Sequence, residues 1–401
     1  MARDTADDLA IRIVEAGLAG VGETELLRGF CERLVEAGIP VIRGILIVDT
    51  LHPVYEGRVF RWFRDPSELS AMHEYPRNEL DDTASIKWRQ SPFHHLAETG
   101  AVWLRCHLAA GEPARFPSVE ELGEAGHTDY LAFVHRFGGD GVIGEMDGVA
   151  SSWSTDAPGG FTDAHIAVLQ RLVPTLALAI KSASLRRIAA TLVETYLGRD
   201  AGRRVLAGRI ARGVADRINT VLWFSDLRGY TRITDTAAPE QIIPLLNDYA
   251  EAIIGAIHEA GGDVLKLIGD GTLAIFEARE PAQACRCALL AAELAGERIG
   301  AVNDRRVATG LPVTRPYLAL HVGEVLYGNI GSPERLDFTV VGPAVNEVAR
   351  IAAMCRSVER DVLFSAAFQA EAAAEDRAGM VSVGRYALRG VGRPQELYTL
   401  A

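Results

Sequence analysis

The sequence predicts an α/β (α+β) chain of more than one domain, joined by a long helix. Length is the first ground, since 401 residues exceed one ordinary domain. The second is pattern: residues 1–160 mix short apolar runs with turn residues, and residues 219–401 alternate strand and helix signals. Between them, apolar residues spaced by threes and fours mark a helix without a break.

The composition is that of a globular protein, with 48% hydrophobic and 23% charged residues. A formal charge of −12 argues against a nucleic-acid partner, which calls for a basic face. It leaves room for a nucleotide, because a metal or a few cationic side chains can hold phosphates. Cys31, Cys106, Cys285, Cys287 and Cys355 are odd in number and form no CxxC pair, which suits free thiols in a reducing compartment. The opening "MARDTADDLA" has no apolar signal segment. The most membrane-like stretch, residues 167–185, is interrupted by Gln170, Arg171, Pro174 and Lys181. The expectation is a cytoplasmic protein with no membrane partner.

In order along the chain, "ELLRGFCERLVEAG" reads as a helix leading to the strand "VIRGILIV". The runs "EGRVFRWFR", "GAVWLRCHL", "DYLAFVHRF" and "GVASSWST" follow, and together they predict an antiparallel sheet in residues 1–160. His94, His95, His107, His127 and His135 lack metal-ligand spacing and read as surface or core histidines. From 161 to about 197, Phe161-Thr162-Asp163 supplies a cap, and Leu169, Leu172, Leu176, Ile180 and Ala183 form a stripe. Such spacing suits a parallel coiled-coil seam; the alternative is a helix packed on its own domain. Residues 198–218, rich in Arg and Gly, read as a connector, so that 161–218 joins a regulatory domain to the region beginning at 219.

That last region carries the chemistry. "NTVLWFSDL" reads as a buried strand ending at Asp226, and "RGYT" turns into a helical stretch whose regular part is expected to begin at Pro244. "DVLKLIGDGTLAIFE" reads as two strands joined at Gly269-Asp270-Gly271. If those strands are neighbours of the first, Asp226 and Asp270 share one sheet edge and repel unless cations lie between them. Oxygen-only ligands favour Mg²⁺ or Mn²⁺ over zinc. Gly229 lets the backbone approach a phosphate, and N–H groups entering the next helix supply donors. Metals beside a phosphate cradle point to phosphoryl chemistry on a nucleoside triphosphate. In "DFTVVGPAVNEVARI" a strand ends at Gly342, Pro343 suits a first helical position, and Asn346 and Arg350 fall four apart on one face. An amide and a guanidinium so placed can orient a ribose and neutralise phosphate charge.

The blocks "FSDLRGYT", "LKLIGDG", "HVGEVLYGNIGS" and "TVVGPAVNEVAR", in this order, resemble the signature of class III adenylate/guanylate cyclases across nearly all of 219–401. The resemblance implies a ferredoxin-like, palm-type domain with a central, mostly antiparallel sheet, working as a head-to-tail homodimer. It implies that Asp226 and Asp270 hold two metal ions, Mg²⁺ or Mn²⁺, in each active site, assisted by the backbone carbonyl of Leu227. It makes Asn346 the ribose-orienting residue, Arg350 the transition-state cation, and Lys266 with Thr339 the base-recognition pair. Pro343 stands where many relatives carry an aspartate, and Arg389 or Arg393 falls where a further phosphate-touching cation is found.

Base choice follows from hydrogen-bond chemistry. Lys266 donates to adenine N1 and the Thr339 hydroxyl accepts from N6, whereas guanine sets its N1–H against the ammonium. A hydroxyl can also donate, so some use of GTP is compatible. The expected reaction converts ATP to 3′,5′-cyclic AMP and pyrophosphate, a metal activating the ribose 3′-OH for in-line attack on the α-phosphorus. "GGFTDAHIAVLQRLVPTLALAI" resembles the closing helix of GAF-type domains, which implies a GAF-like sensor in 1–160 for an unknown small-molecule or protein regulator. Two rival readings conflict with residues of the chain. A catalytically silent nucleotide-binding regulator conflicts with the intact Asp226, Asp270, Asn346 and Arg350. A diguanylate cyclase conflicts with "GGD" at residues 261–263, which precedes a strand and does not form a hairpin tip.

Overall fold

Six strands, β1 (Arg43–Asp49), β2 (Tyr55–Phe63), β3 (Met72–Pro76), β4 (Trp103–Cys106), β5 (Asp129–Arg136) and β6 (Gly148–Thr155), pair antiparallel in the order β3-β2-β1-β6-β5-β4. Side chains alternate across this sheet. Leu131, Phe133 and Trp153 join a core with helices Ala2–Leu18, Glu23–Glu36 and Asp163–Leu197. Tyr130 and Ala132 face the opposite way, onto Phe93 and Leu96 of helix Pro92–Thr99 and Val119 of helix Pro117–Glu124. The structure, a computed structural model, describes residues 2–65, 72–77, 82–111, 115–138, 143–144, 146–277 and 279–401. It divides into two units, Met1–Leu192 and Val193–Ala401.

The stripe expected to form a coiled-coil seam has another partner. Leu169, Leu172, Leu176 and Ile180 are fully buried and Ala183 nearly so, all within the first unit's own core. A three-four repeat is satisfied equally by a partner helix and by the protein's own sheet, and here the sheet and two helices occupy it. By length and composition Asp163–Leu197 is also apolar enough to cross a membrane; half of its most apolar window is buried inside the protein.

One charged pair is built into this core. Glu23, 2% exposed, accepts hydrogen bonds from Arg187 at 2.7 Å and from the Ser184 hydroxyl at 3.2 Å. Burial pushes its carboxyl up, but the Arg187 hydrogen bond and the backbone outweigh this and the net shift is downward. Glu23→Ala should therefore destabilise the first unit by about 2 kcal/mol, by stripping a partly buried guanidinium of its partner. An unchanged urea midpoint for the full chain would show the pair to be neutral.

The second unit holds β7 (Ala215–Leu227), β8 (Asp263–Ile268), β9 (Gly271–Phe276), β10 (Pro316–Gly331), β11 (Leu336–Val341), β12 (Val362–Ser365), β13 (Met380–Tyr386) and β14 (Gln395–Leu400). The order is β13-β14-β12-β10-β7-β9-β8, with β11 pairing β10 off that path. Among these ladders only β10–β12 is parallel. Trp223 and Phe276 face helices Pro239–Glu259 and Pro281–Ala308, while Leu222 and Ile275 face β11 and helix Pro343–Val358.

Two expectations about local structure give way. The stretch read as a connector contains a helix, Arg199–Leu206, and the start of β7. Arg204 on that helix reaches Asp200 at 2.5 Å and Asp216 of β7 at 3.2 Å, so charge pairing organises residues whose apolar content is low. The turn before it needs Gly198: φ is 87° and an added Cβ would lie 2.3 Å from the Val264 carbonyl oxygen. Likewise the helix expected from Pro244 begins at Pro239, whose missing N–H needs no partner in a first turn, and Pro244 lies inside it.

A buried histidine makes this unit acid-sensitive. His321 Nδ1 is hydrogen-bonded, at 2.8 Å, to the Ser365 hydroxyl, which also accepts from the Phe368 N–H. Burial pulls His321 from 6.5 down to about 4, although Nε2 lies 4.0 Å from Glu347. With the folded pKa below the unfolded one, stability is full above pH 6.5 and declines as pH falls toward 4. The loss should reach about 2–3 kcal/mol. His321→Gln should flatten that slope in urea melts across the interval; an unaltered slope would exclude His321 as its source.

Candidate active site

The sheet order brings the two aspartates together. β7 pairs with β9, and β9 with β8, so the end of β7 and the β8–β9 turn lie side by side. Asp226 occupies the strand end and Asp270 the turn. The Leu227 N–H donates to Asp270 Oδ2 at 3.2 Å and holds that carboxylate toward β7. Partial burial and the adjacent Asp270 carboxylate push Asp226 up to about 6, while its side chain keeps access to solvent. A pair of carboxylates in this strained electrostatic state favours a proton or a cation between them. The donors are hard oxygens, the set that suits Mg²⁺ or Mn²⁺. Among the described residues no cluster of three or more His, Cys, Asp or Glu forms, so further ligands would come from backbone, water or a bound phosphate.

Gly229 adopts φ of 68° immediately before helix Tyr230–Thr236, a left-handed turn that favours glycine and redirects the chain after Asp226. Beside it a cleft of about 440 Å³ is lined by Arg232, Thr236, Gln241, Leu311 and Val313. None of the residues expected to do chemistry lines it.

The remaining candidates lie around β8, β11 and the helix after β11. Gly342 ends β11, Pro343 opens helix Pro343–Val358, and Val348, Ile351 and Cys355 bury its inner side. Asn346 is left exposed and Arg350 half-buried one turn apart, as the four-residue spacing requires. Gly390 packs on the Arg350 guanidinium, at 3.3 Å from an ideal Cβ position to Nη1. The loop carrying Arg389 thus lies against Arg350. Thr339, 8% exposed, sits in β11 opposite Gly328 of β10. Lys266 of β8 forms an ion pair with Asp337 of β11.

Among the described residues no hydrogen bond or ion pair joins the carboxylate pair to Lys266, Thr339, Asn346 or Arg350. The chain thus holds an acidic pair, Asp226 and Asp270, and a set of mostly donor residues that makes no direct bond to it among the described residues. Sequence reasoning missed three contributors: the Leu227 N–H, the Gly390 turn and Asp337. Only Asp337 left a signal, as the residue two before Thr339 and hence on the same side of a strand.

Residues 215–401 match the family model of the adenylate and guanylate cyclase catalytic domain. This region belongs to that family. An adenylate cyclase of Anabaena cylindrica is 35% identical over 157 residues, 38% of this chain and 30% of that protein. Adenylate cyclase 1 of Rhizobium meliloti is 29% identical over 170 residues, 41% of this chain and 25% of that protein. The match thus spans less than a third of either relative's own length. Among solved structures, the adenylyl cyclase CyaB from P. aeruginosa aligns at 21% identity with a TM-score of 0.43, over 47% of this chain and 96% of that one. Within the cyclase domain, Asp226, Asp270, Lys266, Thr339, Asn346 and Arg350 all fall inside the matched residues.

Proposed function

We propose that this chain is an adenylate cyclase, converting ATP to 3′,5′-cyclic AMP and pyrophosphate in a head-to-tail homodimer. The observation that carries the reading is the Asp226–Asp270 pair at adjoining strand ends of a cyclase domain, a site of like charges that only cations reconcile. Asp226 and Asp270 would hold two Mg²⁺ or Mn²⁺ ions. When bound, these supply Lewis-acid activation of the ribose 3′-hydroxyl and charge neutralisation on the triphosphate.

The chain's own residues do the rest. The Leu227 N–H keeps Asp270 facing Asp226, its carbonyl is available as a further oxygen ligand, and the Gly229 turn lets backbone approach the triphosphate. The Asn346 amide orients the ribose so that the 3′-oxygen lies in line with the α-phosphorus. That oxygen bonds to phosphorus, its proton leaves to solvent, and the bond from the α-phosphorus to the bridging oxygen breaks to release pyrophosphate. Arg350 stabilises the charge that develops, and the loop packed against it carries both C-terminal candidates for a further phosphate-touching cation, Arg389 and Arg393. Lys266 donates to adenine N1 and Thr339 accepts from N6.

A homodimer is supported by the lack of any bond between the acidic and donor residues within one chain and by exposed apolar side chains, Leu267 and Ile268 on β8, Leu326 and Ile330 on β10 and Val341 on β11. The first unit, an antiparallel sheet with helices on both faces, suits a GAF-like sensor that regulates the cyclase domain. The decisive test incubates purified protein with ATP or GTP and Mg²⁺ or Mn²⁺, then identifies the products by mass spectrometry. Cyclic AMP should dominate, with cyclic GMP formed more slowly. No cyclic product, or mainly cyclic GMP, would sink the reading.

A further inference from the structure

Arg228 lies between the end of β7 that carries Asp226 and the left-handed turn at Gly229, and both of its backbone groups are tied to the segment entering β10. Its N–H donates to the Arg315 carbonyl at 2.8 Å, and its carbonyl accepts from the Thr314 hydroxyl at 2.7 Å. That hydroxyl is also 3.4 Å from the Arg315 carbonyl, so its single proton serves the shorter contact. Both peptides flanking Arg228 are trans, and in a trans peptide the C=O and N–H point opposite ways. The bond at the Arg228 N–H therefore turns the Leu227 carbonyl away from Arg315, and the bond at the Arg228 carbonyl turns the Gly229 N–H away from Thr314. The Leu227 carbonyl is left on the Asp270 side, because the Leu227 N–H leaves the strand by the same edge and donates to Asp270. The Gly229 N–H has no acceptor among the described residues.

Thr314 is itself braced from the core. It is buried, its N–H donates to the Tyr249 hydroxyl at 2.8 Å, and its carbonyl accepts from the Asn303 amide at 2.9 Å. Tyr249 donates in turn to Asn303 Oδ1, which closes a ring of bonds between helices Pro239–Glu259 and Pro281–Ala308. Two residues earlier, the Pro312 carbonyl accepts from Arg306 Nε at 2.8 Å. One hydroxyl thus fastens the turn after Asp226 to two core helices. Resting on the cyclase reading above, we infer that Thr314 is a positioning residue for the metal site. By clamping Arg228 it aims the Leu227 carbonyl at the cation that Asp226 and Asp270 would hold. A backbone ligand acts only while its peptide plane is fixed. Without the hydroxyl, Arg228 is held on one side only and hinges on Gly229, whose φ is free to change sign.

The test compares Thr314→Val, which removes the hydroxyl at nearly constant shape, and Thr314→Ser, which keeps it, with the unmodified full chain. Thr399→Val is the control. That hydroxyl, also buried, makes the same kind of bond, to the Val362 carbonyl at 2.8 Å, on β14, beyond β10 and β12 from β7. Binding of Mn²⁺ alone to the nucleotide-free chain is followed by electron paramagnetic resonance of the free ion, and cyclic AMP formation is measured over a range of Mn²⁺. Thr314→Val should weaken Mn²⁺ binding about tenfold and lower turnover by a similar factor at fixed Mn²⁺, with part of it recovered as Mn²⁺ is raised. Ser should restore both. Thr399→Val should alter neither, while lowering the urea midpoint as much as Thr314→Val does. Tyr249→Phe, which leaves the Thr314 hydroxyl but takes away its brace, should weaken Mn²⁺ binding about threefold, and it decides the matter by itself if Thr314→Val does not fold. Unchanged Mn²⁺ affinity, an equal loss in the control, no recovery with Ser, or a parent that binds no Mn²⁺ would each overturn the inference. The two readings fail separately: Mn²⁺ binding that depends on Thr314 with no cyclic product removes the cyclase assignment and leaves Thr314 its role.

Discussion

Asp270→Ala is expected to reduce cyclic-nucleotide formation at least a thousandfold, and Asp226→Ala to do the same, with both variants fully folded. The size follows from what the pair supplies. Divalent cations held by the pair would contribute several kcal/mol of transition-state charge stabilisation, and about 4 kcal/mol is already a thousandfold. Neither carboxylate has a cationic side chain in ion-pairing reach among the described residues, so removing one breaks no ion pair and, for Asp270, only the hydrogen bond from the Leu227 N–H. Two like charges at adjoining strand ends oppose folding, so Asp226→Ala should melt at or above the temperature of the metal-free parent, and Asp270→Ala, which also loses the Leu227 hydrogen bond, close to it. A second readout is independent of turnover. Mn²⁺ should raise the melting temperature of the parent, by mass action on the folded state, and leave both variants unmoved. Substantial activity in either folded variant would remove the two-metal assignment, and an intact Mn²⁺ shift would place the metal elsewhere.

Much of this site was legible because its information is local. The strand ending at Asp226, the hairpin turn around Asp270 and the proline-initiated helix presenting Asn346 and Arg350 are each encoded within a dozen residues. Strand neighbourhood then follows from short connections, which is why the two aspartates were expected at one edge. What was hidden is non-local or degenerate. Nothing near Lys266 in sequence points to Asp337, since the pair forms only after β11 returns along β10. The stripe from Leu169 to Ala183 has the same period for a partner helix as for a sheet, and only the arrangement of β1, β5 and β6 settles which covers it. β3, an edge strand, has two exposed residues followed by three half-buried ones with no alternation, so its pattern did not distinguish it from a loop. Pro244 was weighed as a helix start because sequence alone does not tell which of two nearby prolines takes the first turn.

The acidic pair and the donor set, joined by no direct bond among the described residues, lead to an expected result for mixed subunits. In a head-to-tail homodimer, each active site would take Asp226 and Asp270 from one protomer and Lys266, Thr339, Asn346 and Arg350 from its partner. Two-fold symmetry then makes two equivalent sites. Asp270→Ala damages the acidic half of both sites in its own homodimer, and Asn346→Ala damages the donor half of both. A heterodimer of the two variants has one site carrying both lesions and one site carrying neither. Random exchange of equal amounts makes half the dimers hetero, each with one working site of two, so activity should climb from near zero to about a quarter of the parent's. The variants are suited to the purpose because both side chains lie outside the hydrophobic cores and neither replacement opens a cavity. Subunit exchange is verified by tagging one variant and recovering the other with it. If heterodimers form and activity stays at the level of the separate variants, each site is built from one chain, and the two groups of residues must meet by a rearrangement within a protomer.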